Sequence, residues 1–99
     1  MASKMYGDLV KAVADVDTGV MMIDMGMHAD GEVFLLQKGS QQANLWGFNL
    51  YPKKFGTDEF IEFDSMINIR PSQNNMSRHV HDEAIRAQII DIVREKVKK

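Results

Sequence analysis

The side chains able to do chemistry in this 99-residue chain gather in a few places. His28 and Asp30 sit together in the first half, and His79, His81 and Asp82 sit together ahead of the last segment. Imidazole nitrogens and carboxylate oxygens hold divalent first-row metals, so these residues are numerous enough to furnish a site. His79 and His81 project to one side only where the chain is extended, and no His-Glu-x-x-His spacing accompanies them. The expectation is therefore two exposed histidines beside a helix N-terminus, with no metal. Met21, Met22, Met25 and Met27 lie just before His28 and offer soft donors of the kind that hold Cu(I). Methionines on an apolar strand more commonly fill gaps in a core or in an adaptable interface, and that is the expectation here.

A second group is the polar run from Asn68 to Arg78, which contains Arg70, Ser72, Gln73, Asn74, Asn75 and Ser77. Two guanidiniums with amides and hydroxyls next to a helix start are suited to a phosphate or carboxylate. Asn68, Arg70, Ser72 and Arg78, with His28 and Asp30, are thus the candidate ligand-binding residues, and a small anion is the candidate ligand. The competing reading is a loop that satisfies its own backbone, with Arg70 paired to Asp64 or Glu62. No Gly-rich phosphate cradle is present. Catalysis has less to rest on. There is no nucleophile elbow and no pair of carboxylates separable into acid and base, and Asp24, His28 and Asp30 are the nearest approach to a catalytic set. The expectation is a non-enzymatic protein without a cofactor.

Composition narrows the classes further. The absence of cysteine removes disulfides, thiolate metal sites and thiol catalysis. Twelve Lys and Arg against fourteen Asp and Glu give a net charge of −2, the wrong balance for a protein that binds nucleic acid through its phosphates. Residues 1–10 lack the apolar core of a signal peptide, and no stretch is long enough to cross a membrane, so a cytoplasmic location is expected. The length suits a single domain over residues 1–99. Trp46, Phe48 and Tyr51 lack surrounding Lys or Arg and read as core rather than as a base-stacking platform.

The elements that must position these groups are unevenly legible. Tyr6, Leu9, Val10, Val13 and Ala14 fit a helical template with Ser3 as cap, while Val10, Ala12, Ala14 and Val16 fit strict alternation. Asp17-Thr18-Gly19 supplies a turn, and Val20–Met25 a returning strand, so a hairpin is favoured. Between His28 and Gly39, Asp30-Gly31 is a hairpin signal. Against it, Ala29, Val33 and Leu36 share a helical face and Gly39 suits a helix C-terminus. The residues alone leave that segment open. Leu45–Tyr51 reads as a strand ended by Pro52, with Trp46, Phe48 and Leu50 on one face. A connection containing Gly56 leads to Phe60–Arg70, read as a long half-buried strand. Ile61, Phe63, Ile67 and Ile69 point inward and Glu62, Asp64, Asn68 and Arg70 outward. Asp82 caps a last helix whose Ile85, Ile89, Ile92, Val93 and Val97 form an apolar stripe, with Asp82–Arg86 and Glu95–Lys99 spaced as ion pairs. Trp46, Phe63, Ile67, Ile69, Ile85, Ile89 and Val93 are expected to share one core.

His28-Ala29-Asp30, Leu35-Leu36 with Gly39-Ser40, Leu45-Trp46-Gly47, the run Ile67-Asn68-Ile69-Arg70-Pro71-Ser72-Gln73 and the Asp82-led helix carry a resemblance. Over residues 10–95 the chain resembles a family of small prokaryotic proteins catalogued as a domain of unknown function. The resemblance implies a helix over His28–Gly39 and a strand for the first segment; it implies no activity. The fold expected is α+β: a small two-layer domain in the order ββαββα, with an antiparallel sheet of about four strands and both helices on one face. The face bearing Glu62, Asp64, Asn68 and Arg70 is then wet or an interface, and the expected partner is a second copy or another protein.

Overall fold

A computed structural model describes residues 9–23, 26–54, 57 and 59–96. Ser3, Tyr6, Asp24, Met25, Gly56, Val97 and Lys99, on which parts of the sequence reading rest, lie outside the described residues. The first two strands, β1 (Val10–Asp15) and β2 (Met21–Ile23), form the expected antiparallel hairpin, with Ala12 opposite Ile23 and Ala14 opposite Met21. Its turn is built by Asp15 and Gly19. The Asp15 Oδ1 accepts hydrogen bonds from the Asp17 and Thr18 amides at 2.8 and 3.1 Å, and Gly19 takes the left-handed φ of +79°. Burial alone would raise the Asp15 pKa. Hydrogen bonds from the Ser40 side chain and from Thr18 and Asp17 outweigh it and hold the carboxyl below its ordinary value.

Helix α1 (His28–Gln37) follows, so the open segment is helical. Asp30 lies in its first turn, where a carboxylate suits the dipole. Gly39 ends it at φ +102°, and its amide donates to the Leu36 carbonyl at 3.1 Å while Ser40 donates to Leu35 at 3.0 Å. This reciprocal pair is the Schellman closure that a glycine at this position permits. The chain then enters β3 (Leu45–Leu50), which runs antiparallel to β1 along its whole length, from Val10 opposite Leu50 to Asp15 opposite Leu45. Strand β4 (Ile61–Glu62) pairs with the far end of β3, and helix α2 (Glu83–Lys96) closes the described chain. The Asp82 Oδ1 accepts from the Ala84 amide at 2.8 Å and caps α2 as expected. Arg86 reaches Glu83, 3.8 Å away, and the Val80 and His81 carbonyls rather than the Asp82 carboxylate.

The sheet order is β2-β1-β3-β4, and the element order is the expected ββαββα. The layering differs from expectation, because the helices cover opposite faces. Val10, Ala12 and Ala14 of β1 lie with Trp46, Phe48 and Leu50 of β3 on one face, against Ile89 and Val93 of α2 and the buried Val80 and Phe60. Ala12 stands opposite Phe48 and Ala14 opposite Trp46, so small residues make room for the large ones. Val13 and Leu45 project to the other face and meet Leu35 of α1, with Met22 and Ile67 packed beside them. All six residues of β3 are buried, as they must be in a strand covered on both sides.

The long strand over Phe60–Arg70 is not formed. Pairing stops at Glu62, and short 3₁₀ turns follow at Met66–Asn68 and Pro71–Gln73. Ser65 occupies the one inward position of the alternation that is not apolar. Its Oγ accepts from the Ile67 amide at 3.3 Å, an ST-type local bond that competes with strand pairing. The face assignment inverts as a consequence. Asn68 and Arg70, expected outside, are buried, while Ile69 is 42% exposed. Ile67 joins the α1 side, and Phe63 and Ile85 are only partly buried, so the expected single core is two clusters.

Gly47 lies where this irregular segment crosses β3. A Cβ there would stand 2.6 Å from Ser65 Oγ and 2.7 Å from Ser65 Cβ, and Ser65 is fully buried. Gly47→Ala is therefore expected to lower stability by about 1–3 kcal/mol through overpacking, read in thermal or urea unfolding. Parent-like stability of the variant would show that Ser65 can move aside.

Candidate functional site

Three groups of residues decide what this surface can do: the buried polar residues around Arg70, the polar cluster around His28, and the outer face of α1. The first begins at the edge of β3. Beyond β4, no strand among the described residues lies beside this edge, and side chains take the place of one. The Gly47 amide donates to Asn68 Oδ1 at 2.8 Å, and Asn68 Nδ2 donates to the Gly47 carbonyl at 2.9 Å. A primary amide presents the same donor and acceptor as a peptide, so Asn68 completes the ladder by one unit. Asn68 Nδ2 also donates to the Arg78 carbonyl at 2.9 Å.

Arg70 continues the pattern. Its Nη2 donates to the Leu45 carbonyl, its Nη1 to the Gln42 carbonyl at 2.7 Å, and its Nε to the Ile67 carbonyl at 3.0 Å. The guanidinium lies over the Trp46 ring, 4.6 Å from its centre, and 3.8 Å from the Glu32 carboxylate. Burial pushes its pKa below the ordinary value, and Glu32 opposes that shift. Backbone bonds between Arg70 and Asn75 hold the loop shut, with Asn74 in the left-handed region at φ 59°. Asn75, also buried, donates to the carbonyls of Asn68, Ser77 and His79 and accepts from the His81 amide. The polar run therefore satisfies its own backbone and that of β3.

The remaining candidate residues fall around this network. Ser72 is exposed on the Pro71–Gln73 turn. Arg78, more than half exposed, pairs with Asp64 at 2.6 Å instead of converging on Arg70's partners. His28 opens α1, and its Nε2 lies 2.9 Å from the Phe48 carbonyl, so the ring carries its hydrogen on Nε2. Asp30 stands exposed two residues on. Nearby, Glu62 Oε1 accepts from Asn49 Nδ2 at 2.9 Å and from the Tyr51 hydroxyl at 2.8 Å. The Glu62 carboxylate thereby raises the Tyr51 pKa above its ordinary value. His79 and His81 flank the buried Val80, their rings 5.4 Å apart edge to face, with His81 against Ser77 Oγ and His79 beside Arg86. Among the described residues, no three His, Asp or Glu side chains are placed to share a metal ion.

The third feature is apolar. Gly31 and Leu35 are the buried residues of α1. Val33, Phe34 and Leu36 stand 52%, 42% and 39% exposed, and Met27, just before the helix, 61%. The sequence places Val33 and Leu36 on a shared helical face; the structure leaves both exposed and buries Gly31 and Leu35 instead. The turn at Met66–Asn68 packs beside α1, with Ile67 against the cluster that contains the buried Leu35, and with Met66 exposed. Sequence reasoning named Asn75 only as part of the polar run and missed Glu32 and the outward face of α1. The spread of apolar residues around the helix was the available signal for the last.

The fold and surface define a small α+β domain with a four-stranded antiparallel sheet between two helices. The chain belongs to a family described as proteins of unknown function, DUF5674, whose model matches residues 1–96. No curated protein and no solved structure matches it. No helix among the described residues is long and apolar enough to cross a membrane.

His28 gives this region a pH dependence. Burial lowers its pKa, against the favourable effect of the Phe48 carbonyl, and the Lys11 charge lowers it further. The unfolded chain takes up a proton near pH ~6.5 that the folded ring resists. Stability from this group is thus complete above that pH and declines as pH falls. His28→Gln, which keeps an N–H for Phe48, is expected to flatten the decline between about pH 7 and 5. Equal slopes for parent and variant in urea titrations would contradict this.

Proposed function

We propose that this domain is a non-enzymatic binding module that self-associates, with the exposed face of α1 as its contact surface. One observation supports it above the others: α1 carries Val33, Phe34 and Leu36 outward, although a solitary surface helix would carry polar residues there. Met27, exposed just before the helix, adds a flexible side chain suited to an interface that must adapt. The sheet faces do not compete for this role, since each is covered by a helix. Arg70, the most deeply placed cation of the candidate anion loop, has its donors occupied by main-chain carbonyls.

Sedimentation velocity at micromolar concentration is expected to show a dimer. Replacing Val33 and Phe34 together by Ser and Gln should convert it to a folded monomer, because these side chains contribute to association and little to the core. A parent that stays monomeric at high concentration contradicts self-association. A dimer that survives the double replacement contradicts the assignment of the surface.

A further inference from the structure

Resting on that reading, we infer that two copies meet through α1 in an antiparallel, two-fold pairing centred on Val33 and Phe34, with Asp30 of each copy against Lys38 of the other. The outward side of the helix runs Asp30, Val33, Phe34, Gln37 and Lys38, the spacing of one continuous stripe at 3.6 residues per turn. Its charges lie at the ends: Asp30 in the first turn and Lys38 at the C-cap, with the apolar pair between them. All five residues are exposed. None of the ion pairs formed within the described chain uses Asp30 or Lys38. Lys38 Nζ instead lies 5.4 Å from the centre of the Phe34 ring, at the margin of the apolar pair.

This arrangement is self-complementary in one direction only. In a parallel pairing the two Asp30 carboxylates would meet, as would the two Lys38 ammoniums, and the helix dipoles would align unfavourably. In the antiparallel pairing each Asp30 comes to the C-terminal end of the other helix, beside its Lys38, while Val33 and Phe34 of both copies lose contact with water. A two-fold axis generates both ion pairs at once, which is the closed symmetry expected of a homodimer. The groove beside Phe34 and Lys38, bounded by Val20 and Thr18 from the β1–β2 turn, lies open next to this contact. In the antiparallel pairing the exposed Met27 of the second copy approaches that groove, because Met27 precedes the helix end that meets Lys38.

The test is charge exchange, read by sedimentation equilibrium in low salt on four proteins: parent, Asp30→Lys, Lys38→Asp and the double variant, each checked for helix content by circular dichroism. Each single variant sets like charges against each other at two symmetric positions, and its dimer dissociation constant is expected to rise about tenfold or more, the effect diminishing in high salt. The double variant restores both pairs with signs reversed and is expected to return to within about threefold of the parent, although its helix-end charges now oppose the dipole. A parent dimer indifferent to the single variants, or singles that weaken it without rescue by the double, overturns the antiparallel pairing while leaving self-association standing. A parent that is monomeric throughout overturns both.

Discussion

Strand β3 lies at the centre of the molecule with all six residues buried, yet the last strand pairs with only two of them, Asn49 and Leu50. Its remaining edge carries peptide groups that are out of reach of water and must still be bonded, since an unpaired buried amide or carbonyl costs about as much as a lost hydrogen bond. Asn68 and Arg70 meet that requirement with side chains. Much else follows. To bring Asn68 to Gly47, the chain after Glu62 must leave the sheet and turn at Met66–Asn68, which Ser65 caps. To bring Arg70 to Leu45, the loop must double back, and Asn75 fixes it by bonding three carbonyls and one amide. Gly47 has no side chain because Ser65 occupies that space.

The same constraint shapes the surface. The guanidinium of Arg70 stands among main-chain carbonyls, over Trp46 and near Glu32, so Asn68, Arg70 and Asn75 act chiefly as internal scaffolding. A lysine could not replace it, because three carbonyls in different directions need a planar fork of donors. With each sheet face beneath a helix, the outer side of α1 keeps Val33, Phe34 and Leu36 exposed. Its buried side is narrow, Gly31 and Leu35. This exposed face is the one that the proposed self-association would cover.

How much of this is legible in the sequence follows from where local and global signals agree. Strand β3 and helix α2 are readable because alternation or apolar stripe and end signals point the same way in each, whereas the β1–β2 hairpin is favoured by its turn residues over a helical template that the same residues also fit. Helix α1 is ambiguous on its residues, since Asp30-Gly31 imitates a hairpin turn; Gly31 lies buried within the helix, and Gly39 is the true stop. The segment after Phe60 is misleading. Its alternation is real, but a serine at the middle inward position and an asparagine at an outward one carry the information that matters. The asparagine does not announce its bonds to Gly47, 21 residues away, nor the serine its close approach to the same glycine. His28 and Arg70 can be singled out by type, whereas their partners, the Phe48, Leu45 and Gln42 carbonyls, are backbone atoms with no sequence signature.

The completion of β3 by a side chain is tested most directly by amide hydrogen exchange at Gly47 in the parent protein at neutral pH. Its N–H faces the edge that β4 does not reach and is bonded to Asn68 Oδ1. The account predicts protection comparable to that of the amides in β1, with exchange only through unfolding of the whole domain. Exchange at Gly47 close to the rate of an unstructured peptide, while β1 stays protected, would contradict it.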